Sequence, residues 1–422
     1  MVRGVERSGV RHGLLLGMAV GWCAVSSCGS RPERPEALTI RDSAGVEIVE
    51  FDLEQVPPLG SVELKPEWVF GASPANPGGF PLLNVTDALI LSDDRIAVVN
   101  WSTQEILLVD PDGRNWERLT KAGDGPGELH FIQSVSEEAG TIGVFDASLR
   151  RWLKYREGEF VESAKAPEIG TPGLYFPESV LLDGGGLVIA DAYVPPGSPA
   201  GVPIRRDVLI ARVDEGRVDT IAMGPADTGV DKITGISPFP WGASYGFAVS
   251  EAGVWLGNTD VPEVREWSRT GELRRVVRWS SSKDRRLTRR IIHGYRDRIT
   301  EGRPREVQAT IRRNFRETDF PDAIPAWGGV ISSTEGVLWV SDYPGPAAIG
   351  PFHDPYPALQ WVGIDSTGRP MGTLLTPEGL QATAFGADFL VGIHKDSLGV
   401  ETVRRYRIAD VFDGPSAGGD VQ

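Results

Sequence analysis

Lys121–Ile132 reads KAGDGPGELHFI, three glycines alternating with other residues just after the apolar run Ile106–Val109. Glycine-rich turns in such a position often cradle phosphate. The spacing here is G-x-G-P-G, which matches neither G-x-G-x-x-G nor G-x-x-x-x-G-K-[ST]. A phosphate loop also opens a helix whose N-terminus faces the anion. The chain instead continues HFIQSVSEEAGTIGVFD, with Gly, Thr and β-branched residues and no helical stripe. The stretch therefore reads as a crossing between β-strands. Gly123, Gly125 and Gly127 permit the sharp turn, and Pro126 stiffens it.

Outward from this crossing the chain repeats itself. A short β-rich phrase ends in Asp or Asn: RIAVVN at Asn100, TIGVFD at Asp146, LVIAD at Asp191, GVWLGN at Asn258 and VLWVSD at Asp342. A weaker sixth copy, FLVGIH, ends at His394, and the intervals are 46, 45, 67, 84 and 52 residues. A basal unit of about 45 residues fits four strands per propeller blade. One apolar strand precedes each phrase (DALILS, IQSVS, ESVLLD, GFAVS, GGVISS, ATAFG) and another comes after it (EILLVD, RRWLKY, DVLIARVD, EVREWS, ALQWVGID, TVRRYRI). Tight turns ending at Gly113, Gly253, Gly271, Gly336 and Gly368 share a polar residue, two more, then Gly, which predicts left-handed glycines in short hairpins. The expected fold is all-β, a six-bladed β-propeller over 38–412. The last blade lacks a fourth strand, and one of two N-terminal segments, LTIRDSAGVEIVEF or SVELKPEWVFG, is expected to complete it and hide the open edges.

KAGDGPGEL resembles the G-x-G-P-G-E-[FL] phrase at blade junctions of NHL-like six-bladed propellers, a TolB-like architecture. DSAGVEIVEF and AIPAWGGVISSTEGVLWVSDY resemble a family of bacterial lipoproteins described as six-bladed β-propellers. The resemblance covers most of Leu38–Ala409 and implies an architecture, with no catalytic residues.

The chain has 422 residues, 51 of them Gly and 32 Pro, and 41% hydrophobic content supplies a sizeable core. At the N-terminus, Arg3, Arg7 and Arg11 precede the apolar Gly13–Val25, GLLLGMAVGWCAV. That run is too short for a finished span and reads as a signal peptide, 1–27. Val25-Ser26-Ser27-Cys28 resembles a lipobox, so Cys28 is the expected lipid-attachment residue and mature N-terminus. Cys23 is disfavoured by the bulky Trp22 before it. Residues 28–37 then form a polar tether, and 413–422 a disordered tail. These are the only two cysteines, so the mature chain carries no disulfide. The expected location is a bacterial cell envelope, lipid-anchored on the periplasmic or surface side. The mature balance is 40 basic against 57 acidic residues, which excludes nucleic acid as a partner.

In a four-strand meander the long insertions fall on one face: Tyr193–Arg206, Gly224–Ala243, Ser280–Pro325 and Tyr343–Pro357. Elaboration of one face marks it for binding. The ends of the second strands point there too. Asn100, Asp146, Asp191, Asn258, Asp342 and His394 read either as loop-capping side chains or as ligands for a divalent cation, as in lactonase-type propellers. The capping reading is preferred, because all blades share a structural need. The one helical signal is an insertion at 281–320, between blades 4 and 5. Leu287, Ile291, Tyr295 and Ile299, then Val307, Ile311 and Phe315, fall four apart around a Gly302–Pro304 break, predicting a helical hairpin. Lys283–Thr318 holds 12 basic residues against 5 acidic ones.

No catalytic triad, H-E-x-x-H or nucleophile elbow is present. The expected function is a ligand- or protein-binding module without cofactor or metal, the alternative being a metal-dependent lactonase- or lyase-type propeller enzyme. Candidate binding residues are Arg285, Arg289, Arg296, Arg312, Asp146, Asp191 and Asp342. The expected partners are a protein or small-molecule ligand, and the membrane through the lipid.

Overall fold

The computed structural model describes residues 38–63, 65–72, 79–166, 178–181, 187–193, 203–214, 217–232, 235–238, 240–250, 252–346 and 356–409. The signal segment, Cys28, the tether and the 413–422 tail lie outside the described residues, as do the middles of the loops expected at Tyr193–Arg206 and Tyr343–Pro357. All described residues belong to the compact unit Ala37–Gln422. The chain is mostly β, with two α-helices among the described residues.

The described strands form six sheets, each built on an antiparallel meander. Sheet 1 runs Val85–Ile90, Ile96–Asn100, Glu105–Val109 and Trp116–Ala122, with Glu128–Leu129 added in parallel. Sheet 2 is Ile132–Glu138, Thr141–Asp146, Arg151–Arg156 and Glu159–Lys165. Sheet 3 is Glu178–Leu181, Leu187–Tyr193, Pro203–Asp214, Arg217–Lys232 and Gly235–Pro238. Sheet 4 contains Tyr245–Val249, Val254–Asn258, Glu263–Trp267 and Leu273–Ser280. Sheet 5 is Val330–Ser332, Leu338–Ser341, Gln360–Ile364 and Pro370–Leu375. Sheet 6 is Leu380–Phe385, Phe389–Lys395 and Glu401–Ala409.

The repeated phrase is the second strand of its meander, and period-two alternation explains its continuous apolar run. In Ile96–Asn100, Ile96 and Val98 face the core shared with sheet 6, while Ala97 and Val99 face the core shared with sheet 2. A strand covered on both faces needs no polar side. The same division recurs at Leu338–Ser341, where Leu338 and Val340 join the core with sheet 4 and Trp339 joins the core with sheet 6. Further clusters lie between sheets 2 and 3 around Phe145 and Trp152, and between sheets 3 and 4 around Ile210 and Leu256. Every sheet thus packs against its predecessor, and the sixth packs against the first. Fully burying one such Val, Leu or Phe contributes about 1.5–3 kcal/mol.

Both N-terminal segments are used. Ser61–Val62 and Trp68–Phe70 pair antiparallel with Glu401–Ala409 and complete sheet 6. The other segment does something the sequence did not show. Leu38–Ser43 and Val46–Asp52 form a hairpin, and Val46–Asp52 pairs in parallel with Leu273–Ser280 of sheet 4. Between them, Pro57 and Leu59 exchange backbone hydrogen bonds with Thr373 of sheet 5 at 2.8 Å. Residues 46–63 and 65–70 therefore strap the outer strands of sheets 4, 5 and 6 in order.

The glycine-rich loop at 121–132 is a crossing. Gly123 and Gly127 have positive φ, and the Gly123 N–H donates to Leu129 O at 3.1 Å. Glu128 Oε2 accepts the Gly125 N–H at 2.8 Å, and a Cβ at Gly123 would stand 2.0 Å from that oxygen. That backbone donor, then Lys121, lowers the Glu128 pKa. A Cβ at Gly127 would press on Phe160 of the next sheet.

Two expectations need correction. Gly113, Gly271, Gly336 and Gly368 are left-handed, but Gly253 is not. A Cβ there would stand 2.0 Å from the Trp267 carbonyl, so that glycine answers a close approach. The crossing expected at Gly224–Ala243 is largely strand, because Arg217–Lys232 succeeds the 12-residue Pro203–Asp214 and then turns into Gly235–Pro238.

Helices α1 (Arg289–Thr300) and α2 (Arg305–Glu317) come after sheet 4. Thr288 caps α1 by accepting the Ile291 N–H, and Gly302 at φ +69° turns the chain between them. An aromatic cluster of Trp241, Tyr295, Phe315 and Phe320 holds the pair, with ring centroids 5.2 to 6.1 Å apart. Among the described residues no helix is long and apolar enough to cross a membrane.

Candidate functional site

The ends of the second strands share a physical task. A backbone N–H just ahead of the first strand must be satisfied where the chain crosses from the previous sheet. In sheet 1, Asn100 Oδ1 accepts the Leu83 N–H at 2.7 Å. In sheet 2, Asp146 accepts the His130 N–H at 3.0 Å and, with its other oxygen, the Leu149 N–H at 3.1 Å. Both side chains are fully buried. In sheet 4 the task passes one residue on, to Thr259, whose hydroxyl accepts the Ser244 N–H at 2.8 Å. Asn258 instead donates to the carbonyls of Pro225 and Ala226 at 3.0 Å. In sheet 6 the His394 ring stands 3.0 Å from where a Cβ on Gly379 would be. Burial, then the Arg404 charge, lowers the His394 pKa, and its Nδ1 has no partner among the described residues. Asp191 sits in the Leu187–Tyr193 strand, and its side chain lies outside the described residues.

Sheet 5 departs from this pattern. Ser341 Oγ accepts the Gly329 N–H at 3.0 Å, so the next residue, Asp342, is released from the task. Its Oδ2 pairs with Lys283 Nζ at 2.7 Å, and its carboxylate is about one-third exposed. It borders a shallow open cleft walled by Trp279, Trp327, Trp361, Val340 and Leu53, with Gln360 and Ser341 as further polar lining. Trp327 is wedged between sheets 4 and 5. Its Nε1 donates to Val261 O at 2.8 Å, and its ring occupies the space that Cβ atoms on Gly246 and Gly257 would need. Trp361 is buried, and its Nε1 finds no hydrogen-bond acceptor among the described residues. The cleft's enclosed volume is about 20 Å³, room for about one water, so it is a shallow surface notch and no pocket for a ring.

The segment that leads from sheet 4 to α1 borders the same place. Glu54 accepts from the Ser281 hydroxyl and from both the backbone and hydroxyl of Ser282 at 2.6 to 3.0 Å. Its hydrogen bond with Asp52, then those donors, holds its pKa down to about 2. Arg285 is a structural clamp, donating to Ile324 O and Asp260 O at 2.8 Å. Arg296 lies along Asp297 at 2.7 Å. Arg289 and Arg312 are exposed, on α1 and α2. The structure thus brings Asp342 to the segment that leads into α1 and leaves Asp146 elsewhere, inside sheet 2. Lys283, Trp279, Trp327 and Gln360 were not singled out by the sequence as a group. The one signal is the phrase AIPAW, which sets Trp327 directly ahead of a first strand.

Among the described residues no three His, Cys, Asp or Glu side chains come together as metal ligands. No family model matches the chain, and no curated protein matches it. Among solved structures, the chain is similar to a Bacteroides fragilis protein provisionally described as exported, at 12% identity and TM-score 0.49 over 86% of this chain and 99% of that one. A DUF4221 member from Bacteroides vulgatus gives 14% identity and TM-score 0.46, over 83% of this chain and 98% of that one. An inactive virginiamycin B lyase variant from Staphylococcus aureus gives 9% and 0.35, over 78% and 87%. At these values no activity, ligand or partner passes to this chain.

Proposed function

We propose that this chain is an exported, lipid-anchored six-bladed β-propeller that acts as a ligand- or protein-binding module. Six meander sheets, each core shared with the next and the sixth with the first, support the six blades. On this reading α1 and α2 form the insertion between blades 4 and 5. The binding role is carried by the exchange at sheet 5, where Ser341 takes over the capping task and Asp342 stands beside Lys283 at a tryptophan-walled cleft. An accessible charged pair beside a shallow apolar notch suits a surface contact with a polar or charged group of a ligand or protein.

Capture from envelope extract by wild type and by Asp342→Ala and Lys283→Ala variants tests this. A ligand or protein retained by wild type and lost from both variants supports the cleft, and identical profiles overturn it. The metal-dependent lactonase- or lyase-type alternative needs three or four converging ligands, which the described residues do not supply. A fall in melting temperature with EDTA, restored by Ca²⁺, would favour it. For the anchor, Cys28→Ala should release the protein from membranes or leave it as precursor. Retention of a correctly cleaved Cys28→Ala protein would refute lipidation.

A further inference from the structure

The arginines of α1 and α2 break a local rule. Arg289 and Arg290 occupy the first turn of α1, which has no acidic residue there. Arg305 opens α2. Cations are unfavourable at a helix N-terminus, where the backbone dipole is positive. Arg305, Arg312 and Arg316 recur at i, i+7 and i+11, so they share one face, turned about 120° from the Val307, Ile311 and Phe315 stripe. Arg289, Arg290, Arg305, Arg312, Arg313 and Arg316 are all exposed, with no ion pair or hydrogen bond among the described residues. The insertion carries 12 basic residues against 5 acidic, while the rest of the mature chain carries 28 against 52. Such a charge split gives the molecule one cationic end.

Register places that end beside the point where the tether arrives. Leu38, the first described residue, pairs with Phe51, and Phe51 pairs with Trp279. Leu38 is therefore two strand spacings, about 10 Å, from the end of the strand that leads into the insertion. Glu54 fixes this junction through Ser281 and Ser282. A tether of residues 28–37 spans at most about 35 Å. Any surface holding Cys28 is then within a short reach of the junction from which the helices leave.

We infer that α1 and α2 form a cationic foot that rests on anionic phospholipid headgroups of the membrane carrying the anchor, an inference that rests on lipidation at Cys28. One acyl-anchored tether alone leaves the domain free to tumble. The exposed arginines attract the anionic leaflet within a Debye length of about 8 Å, while the acidic remainder is repelled by it. Together these fix which face of the domain looks away from the membrane.

The test uses the mature chain from residue 28 carrying Cys28→Ala, which lacks both the signal segment and the acyl chains, and the same protein with Arg289, Arg290, Arg305, Arg312, Arg313 and Arg316 changed to Gln. The probes are phosphatidylcholine vesicles and vesicles with about 30 mol% phosphatidylglycerol. Cys28→Ala should sediment with the anionic vesicles only, less so as salt rises, and the six-Gln protein should bind at least about tenfold more weakly. Equal binding by both proteins overturns the foot. So does equal binding of Cys28→Ala to both vesicle types, a result that does not depend on how the six-Gln protein folds. Membrane fractionation of wild type separates the premises: a soluble wild type with intact anionic binding fails the anchor alone, and an anchored wild type with no arginine dependence fails the foot alone.

Discussion

Glu159–Lys165 is the outermost strand of sheet 2, and Leu273–Ser280 is the outermost meander strand of sheet 4, yet only the second has a described strand paired beyond it. The sheet 2 strand, EFVESAK, is exposed over most of its length and carries Glu159, Glu162 and Lys165, with a register shift in its pairing. Charge and irregular pairing blunt an open edge. The sheet 4 strand, LRRVVRWS, buries Val276, Val277 and Trp279. Its apolar content is covered by Val46–Asp52, with Phe51 stacked at 6.2 Å on Trp279. Arg275 fastens the cover, reaching Glu47 at 2.6 Å, Glu266 at 2.8 Å and the Ser366 carbonyl of sheet 5 at 2.8 Å. One edge is protected by its own composition and the other by a distant segment, so equivalent positions in the repeat carry unequal stability.

The largest expected contrast is Phe51→Ala, which should cost about 3–5 kcal/mol, against Val161→Ala in the exposed strand, which should stay within about 0.5 kcal/mol. Urea denaturation measures both, and similar costs would break the comparison. Next, Arg275→Ala leaves Glu266 buried without its cation. Burial already raises the Glu266 pKa despite Arg275, and breaking such a pair costs about 3 kcal/mol or more. Lys154→Ala removes only an exposed pair with Glu162 and should cost at most about 1 kcal/mol. The third contrast is between glycines. Gly113 and Gly140 both have positive φ, but a Cβ at Gly113 would stand 2.7 Å from the ring of Trp68 in the strap, while Gly140 faces open space. Gly140→Ala should cost about 1 kcal/mol and Gly113→Ala about 2–3 kcal/mol. The smallest effect is a titration. Because burial and then Arg404 depress the His394 pKa below its ordinary 6.5, the folded state favours the neutral ring. Its contribution is full above about pH 6.5 and is lost as pH falls through the depressed value. Melting temperatures of wild type and His394→Gln between pH 7.5 and about 5 should converge as the pH drops.

The meanders were legible because a doubly covered second strand writes a continuous apolar phrase, and Asn100 and Asp146 mark its end. The strap was only half legible. VEIVEF announces a strand but carries nothing that names a partner over two hundred residues away, and parallel addition needs no turn signature. The helices could be read from four-residue spacing, with Arg289 to Glu317 falling inside the expected 281–320. The capping task was legible as chemistry but not as position. Thr259 and Ser341 perform it with hydroxyls one residue off the Asx register, and that shift is what frees Asp342. The cleft itself is assembled from residues 53, 279, 327 and 361, a juxtaposition set by register between sheets.

The strap also orders events in time. Residues 46–70 are synthesised first, yet their partners Leu273–Ser280, Pro370–Leu375 and Glu401–Ala409 come late in the chain. Sheets 1 and 2 can form from local hairpins as they emerge, whereas the strap must wait for nearly the whole chain. Such distant pairings form slowly and leave strands open meanwhile. A chain arrested before Leu273 would leave VEIVEF without its sheet 4 partner, and one arrested before Glu401 would still leave WVF unpaired, a signature that chaperones and proteases can read as unfinished.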